Sequence, residues 1–249
     1  MGETIRLQAS DGFELSAYVA RPAGTPKGGL VVIQEIFGVN GHIRSVVDGY
    51  AAEGFVAIAP ALFDRVEPGL ELGYTPPDIE RGRDLKGRST TESALSDVEA
   101  AMQHVAGAGK VGVVGYCWGG FLAWVSATRL TGVSAAVSYY GGGVGAVAHE
   151  QPKCPVLMHF GEKDHAIPLT EVDKVRAAHS TGVEIHVYPS GHGFNCDLRG
   201  SYDPESARIA RERSLAFLNR HCADAQVRRE AARIGPTGQN PSRRLIEGA

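Results

Sequence analysis

Lys110-Val111-Gly112-Val113-Val114-Gly115-Tyr116-Cys117-Trp118-Gly119-Gly120 decides how this chain folds. A short, β-branched apolar run ends in Gly-x-Cys-x-Gly, and Gly120 to Thr128 then has the composition of a helix. A strand is therefore expected to turn sharply into a helix at Cys117. Glycines two residues before and after the cysteine let such a turn form without Cβ clashes. The turn presents the thiol above a sheet at a helix N-terminus, where a thiolate is favoured. The same pentapeptide also fits a tight turn around a buried thiol, because free cysteine is a residue of protein interiors.

Two later segments favour chemistry. Gly161-Glu162-Lys163-Asp164 closes the apolar run Val156 to Phe160, and Ser190-Gly191-His192-Gly193-Phe194 closes the run Glu184 to Tyr188. Nucleophile, acid and histidine thus come in that order, each just past a predicted strand end. That is the order of triad members in α/β-hydrolases, and strand ends are where open α/β sheets bind ligands.

The rest of the chain supplies the sheet. Thr4 to Ala9 and Glu14 to Ala20, joined across Asp11-Gly12, read as an antiparallel hairpin. Leu30 to Ile33 and Val56 to Ala59 are continuous apolar runs, as in strands buried on both faces of a parallel sheet. Ala135 to Tyr139 is a further strand, and helices are predicted over Ile43 to Glu53, Thr91 to Val105, Leu169 to His179 and Pro204 to Arg220. Pro60 to Ser89, rich in Pro, Gly and charge, reads as a long loop. The expected fold is an α/β-hydrolase, a mostly parallel central sheet flanked by helices on both faces. One domain is expected over residues 1–222, with a charged, partly disordered tail over 223–249.

Composition excludes several functions. Across 249 residues, 25 basic and 28 acidic side chains leave a formal charge of −3, which argues against nucleic acid or an anionic membrane as partner. No apolar run approaches a membrane span, and the N-terminus lacks the pattern of a signal peptide. Cys117, Cys154, Cys196 and Cys222 are too few and scattered for a disulfide framework or a zinc site. His159 and His165 near Asp164 lack convincing ligand spacing, so no metal is expected. Gly141-Gly142-Gly143 has neither dinucleotide-binding nor P-loop spacing. A reduced, cytoplasmic setting fits best.

With Gln34-Glu35-Ile36-Phe37-Gly38, Gly115-Tyr116-Cys117-Trp118-Gly119-Gly120, Tyr139-Tyr140-Gly141, Asp164 and Gly191-His192 in this order, the chain resembles the dienelactone hydrolases, or carboxymethylenebutenolidases, from about Thr4 to Asn219. The resemblance implies a hydrolase that opens small lactones or enol esters through a thioester acyl-enzyme, without cofactor or metal. Cys117 is then the nucleophile, His192 the general base and later acid, and Asp164 the group that orients the imidazole. Backbone N–H groups of Ile36 and Trp118 would form the oxyanion hole. Glu35 is similar in position to a glutamate that couples to the thiol when substrate arrives; it also fits a salt-bridged acid at a strand end.

Substrate recognition follows the family less closely. Arg83, in Glu80-Arg81-Gly82-Arg83, is placed to bind a substrate carboxylate, or is a solvated loop charge. The family's second arginine is replaced by Cys196, with Arg199 three residues on. Tyr139 either lines the pocket or belongs to the core. The expected partner is a small ester or lactone, the expected state a monomer or weak homodimer. A thioesterase or acyl transferase would use the same intermediate, and a catalytically silent ligand sensor would keep the scaffold alone.

Overall fold

The structure, a computed structural model, describes residues 1–223. β1 (Glu3–Gln8) and β2 (Glu14–Ala20) form the expected hairpin, with Glu3 opposite Val19 and Gln8 opposite Glu14. β2 pairs antiparallel with β4 (Val56–Pro60), which pairs parallel with β3 (Gly29–Ile33). β5 (Val111–Tyr116), β6 (Val133–Tyr139), β7 (Val156–Gly161) and β8 (Val183–Tyr188) continue in parallel, giving the order β1-β2-β4-β3-β5-β6-β7-β8. Every residue of β3, β4, β5 and β7 is buried, as their largely apolar sequences require, with His159 of β7 the polar exception. Each large aliphatic side chain so covered contributes about 1.5–3 kcal/mol, so these strands fix the centre of the sheet. β8 is an edge strand and mostly half-buried.

Among the described residues six helices flank the sheet: α1 (Gly41–Ala52), α2 (Pro76–Arg88), α3 (Thr91–Val105), α4 (Trp118–Arg129), α5 (Leu169–Ala178) and α6 (Pro204–His221). α3 and α4 pack together on one face. On the other face α1 meets α6, where the Arg211 guanidinium lies 4.6 Å over the Tyr50 ring. Helix starts are capped by side chains that accept the orphan backbone N–H groups, Asn40 from Ile43, Thr90 from Ser93 and Asp203 from Ser206.

The region 60–89, expected as a loop, is instead largely ordered structure: a single tight turn at Leu62–Arg65 and the 13-residue helix α2. Only Gly82 and Leu85 of α2 are buried, so its sequence carries almost no apolar period. Its start is nevertheless written in Thr75-Pro76-Pro77-Asp78. Thr75 N–H donates to Asp78 Oδ2 at 3.0 Å, and Pro76 occupies the first helical position. Arg83 therefore stands on a helix rather than in a loop. The expected tail, apart from its first residue, falls in 224–249, outside the described residues.

Candidate active site

Cys117 joins β5 to α4 with φ +56° and ψ −114°, a conformation that costs a non-glycine residue about 1–3 kcal/mol. The surrounding packing holds it there. A Cβ on Gly115 would overlap the Gly119 carbonyl, and one on Gly119 would overlap the carbonyls of Ile33 and Gln34 at the end of β3. Cys117 N–H donates to the Tyr139 carbonyl at 3.0 Å. The glycines on each side thus permit the close crossing of two strands and a helix that lifts the half-buried thiol above the sheet.

Two neighbouring loops complete the arrangement. Asp164 follows β7 and His192 follows β8, and the loops are stitched by Glu162 N–H to Tyr188 O at 2.7 Å and Lys163 N–H to Ser190 O at 2.9 Å. His192 Nδ1 lies 2.7 Å from Asp164 Oδ2, and His192 Nε2 lies 3.2 Å from Cys117 Sγ. The other Asp164 oxygen accepts the N–H groups of Ala166 at 2.9 Å and Ile167 at 3.2 Å, which fixes the buried carboxylate. Burial alone would lower the His192 pKa; hydrogen bonds to Asp164 and Cys117 outweigh it and carry it up to about 10. An imidazolium held between a carboxylate and a sulfur is the electrostatic partner a thiolate needs.

A second network lies beside the thiol. Glu35, just past β3, is fully buried; its Oε1 accepts from Arg199 Nη1 at 3.2 Å and its Oε2 from the Tyr74 hydroxyl at 3.3 Å. Arg199 reaches it from a run of turns after β8, with Cys196 N–H bonded to Gly193 O and Arg199 N–H to Cys196 O. Gly193, at φ +77°, makes room for that guanidinium, which a Cβ at this position would strike. Tyr140 sits between the networks with its ring centroid 5.2 Å from His192 and its buried hydroxyl unpartnered among the described residues. Burial, then the Glu35 charge, push its phenol well above the usual range.

These groups open on a cleft of about 370 Å³, lined among others by Ile36, Arg83, Lys86, Cys117, Trp118 and Arg199. The dienelactone hydrolase family profile matches residues 15–222, which include every residue of this cleft. The chain belongs to the dienelactone hydrolase family. Across 87% of this chain and 95% of its own length, the carboxymethylenebutenolidase of Pseudomonas putida is 35% identical. A Synechocystis protein provisionally given the same name is 37% identical over 217 residues, 79% of this chain and 88% of its own. A Klebsiella pneumoniae crystal structure, provisionally named a dienelactone hydrolase, superposes with TM-score 0.76 at 33% identity, covering 88% of this chain and all of that one. The protein is accordingly a carboxylic ester hydrolase with the α/β fold of its family.

Within this dienelactone hydrolase framework the residues singled out in the sequence do not all meet. Cys117, His192 and Asp164 are in hydrogen-bonding sequence, and Ile36 and Trp118 line the cleft beside them. Trp118 is the first residue of α4, so its N–H has no acceptor within the helix. Arg83 lines the cleft but is exposed. Glu35 contacts Arg199 and Tyr74, with no hydrogen bond to Cys117. Tyr139, expected as a substrate contact, is corrected to a core residue: its hydroxyl meets Ser214 Oγ at 2.7 Å, its ring stacks on Tyr116, and it is absent from the cleft wall. His159 is a core residue as well, bonded to Tyr188 and Ser214, and His165 is exposed. The sequence reading missed Tyr74, Tyr140 and Lys86. Tyr140 carried one signal, the repeated Tyr139-Tyr140 before glycine, in which only the second tyrosine takes a positive φ, and its ring lies beside His192.

Proposed function

We propose that this enzyme opens small lactones or enol esters bearing a carboxylate, through a thioester on Cys117. The observation that carries the reading is the continuous line Asp164–His192–Cys117, with contacts of 2.7 and 3.2 Å. The thiolate adds to the ester carbonyl; the N–H groups of Trp118 and Ile36 face the developing oxyanion, each such donor being worth about 3 kcal/mol. The tetrahedral intermediate collapses with loss of the enolate oxygen, which takes the proton from His192 to leave as the enol; the enol then tautomerises to the ketone, and His192 is left neutral. His192 then deprotonates water, which cleaves the thioester and returns the thiol. Asp164 keeps the ring oriented throughout.

Arg199 is the residue best placed to read a substrate carboxylate, since it lines the cleft and is already ordered by one carboxylate, that of Glu35. Its turn toward the substrate would free Glu35 as a second acceptor for the thiol proton. Arg83 and Lys86, one turn apart on α2 and without carboxylate partners among the described residues, add positive potential at the mouth. A working thiol requires reducing surroundings, from which we infer the cytoplasm. No described helix is long and apolar enough to cross a membrane. The test is hydrolysis of an acidic enol lactone, a neutral aryl ester and an acyl thioester by the wild type and by Cys117→Ala. The reading requires turnover of the acidic lactone above the neutral ester and its loss in the variant; equal turnover by both proteins contradicts it.

A further inference from the structure

Folding gathers three metal-binding side chains that no local spacing in the sequence announces. Glu35 follows β3, His42 lies in the first turn of α1, and Cys196 sits in the turns after β8. One ligand atom from each lies within 4.8 Å of the others, and all three residues are buried. His42 adds an independent observation. Its Nδ1 is 3.1 Å from Asp197 Oδ1, which orients the ring, and its Nε2 is buried without a hydrogen-bond partner among the described residues. A buried ring nitrogen left unpaired is costly, so such an atom points to a missing ligand. Carboxylate oxygen, imidazole nitrogen and cysteine sulfur are the donor types that zinc takes, and ligating histidines characteristically have a carboxylate on their other ring nitrogen, as Asp197 is here.

We propose that Glu35, His42 Nε2 and Cys196 bind a zinc-class divalent cation, which competes with Arg199 for the Glu35 carboxylate. On binding, the Cys196 thiol loses its proton to solvent and a sulfur–metal bond forms. Thiolate and carboxylate together offset the two charges of the ion, and Arg199 is released toward the cleft. Metal–ligand distances of about 2.0–2.3 Å require the donors to close in, which rotation of Glu35 away from Arg199 accomplishes. Only the consequence for catalysis rests on the function proposed above: an occupied site withdraws Glu35 and inhibits hydrolysis reversibly.

The test uses Co²⁺ as a spectroscopic substitute and is made on the full-length Cys117→Ala protein, in which the triad thiol cannot ligate. Binding is expected to give a saturable near-ultraviolet thiolate-to-cobalt charge-transfer band with one equivalent of metal. Cys196→Ser should abolish the band, His42→Gln should weaken binding at least tenfold, and Arg199→Met, by removing the competitor, should tighten it. Thermal melting checks that each variant folds. Alkylation of Cys196 followed by mass spectrometry gives a readout that needs none of these three substitutions: Zn²⁺ should slow labelling of Cys196 while leaving Cys154 and Cys222 unchanged. Absence of the band in Cys117→Ala, a band that survives Cys196→Ser, or unprotected Cys196 overturns the site. Unchanged affinity in Arg199→Met overturns the competition. Because no arm reads turnover, failure here is distinct from failure of the proposed mechanism.

Discussion

Arg199 donates to the buried Glu35 carboxylate across 3.2 Å although 164 positions separate them in the chain. The pair lies in the interior, with 17% of the arginine side chain and 1% of the glutamate side chain exposed. It links the end of a central strand to the turns beyond the candidate catalytic histidine.

Removing one partner of such a pair leaves a buried charge without compensation. Arg199→Met is expected to destabilise the fold by about 3–5 kcal/mol, measured by urea unfolding. The double variant Arg199→Met with Glu35→Gln should recover much of that loss, since neither charge is then stranded. A double variant as unstable as the single one would place the cost in lost packing instead.

The same arginine should dominate recognition of charge. Arg199→Ala is expected to lower kcat/KM for acidic lactones relative to neutral esters by about 1.5–3 kcal/mol, the range for a charge-assisted hydrogen bond. Arg83→Ala should change the same ratio by no more than about 1 kcal/mol, because its side chain is solvated. A larger effect at Arg83 would reverse the assignment.

His192 is held at a pKa of about 10 against its burial by Asp164 and Cys117. The raised value means that the imidazolium persists far above its ordinary range, so removal of a stabilising partner must lower it. Both Cys117→Ala and Asp164→Asn are expected to bring the value down, as measured by imidazole NMR titration. Asp164→Asn should also reduce kcat by about 10²–10⁴-fold, the range for loss of acid–base catalysis, with KM little changed. An unmoved titration would mean that neither group stabilises the imidazolium.

Tyr139→Phe separates a core tyrosine from a substrate contact. Loss of its hydrogen bond to Ser214 should cost about 1 kcal/mol of stability, and KM should stay at the wild-type value. A raised KM with unchanged stability would return Tyr139 to the cleft.

Much of this site was legible because the informative residues follow strands. Cys117, Asp164 and His192 each stand just past the end of a recognisable apolar run, and the sheet brings those strand ends together so that His192, last in the chain, stands between the other two in one line of hydrogen bonds. The illegible parts lie in helices and turns whose sequence lacks a hydrophobic period. α2 buries only two residues, so only its Thr75-Asp78 capping pair marked it. Arg199 reaches Glu35 through successive turns and a glycine at positive φ, a path that depends on geometry rather than spacing. Tyr139 and Tyr140 are adjacent and alike in the sequence, yet only Tyr140 takes a positive φ and lies with its ring 5.2 Å from that of His192. Glu35, His42 and Cys196 come from three separate elements, and spacing rules for metal ligands do not reach that far.

The central claim is that the ester carbonyl becomes a thioester on Cys117, and rapid-quench mass spectrometry during turnover tests it most directly. With an enol lactone, ring opening keeps the leaving oxygen within the same molecule, so the enzyme should gain the mass of the whole substrate. Digestion should place that mass on the peptide containing Cys117, and Asp164→Asn should accumulate it by slowing deacylation. Turnover with no adduct on that peptide, together with undiminished hydrolysis by Cys117→Ala, would contradict the account.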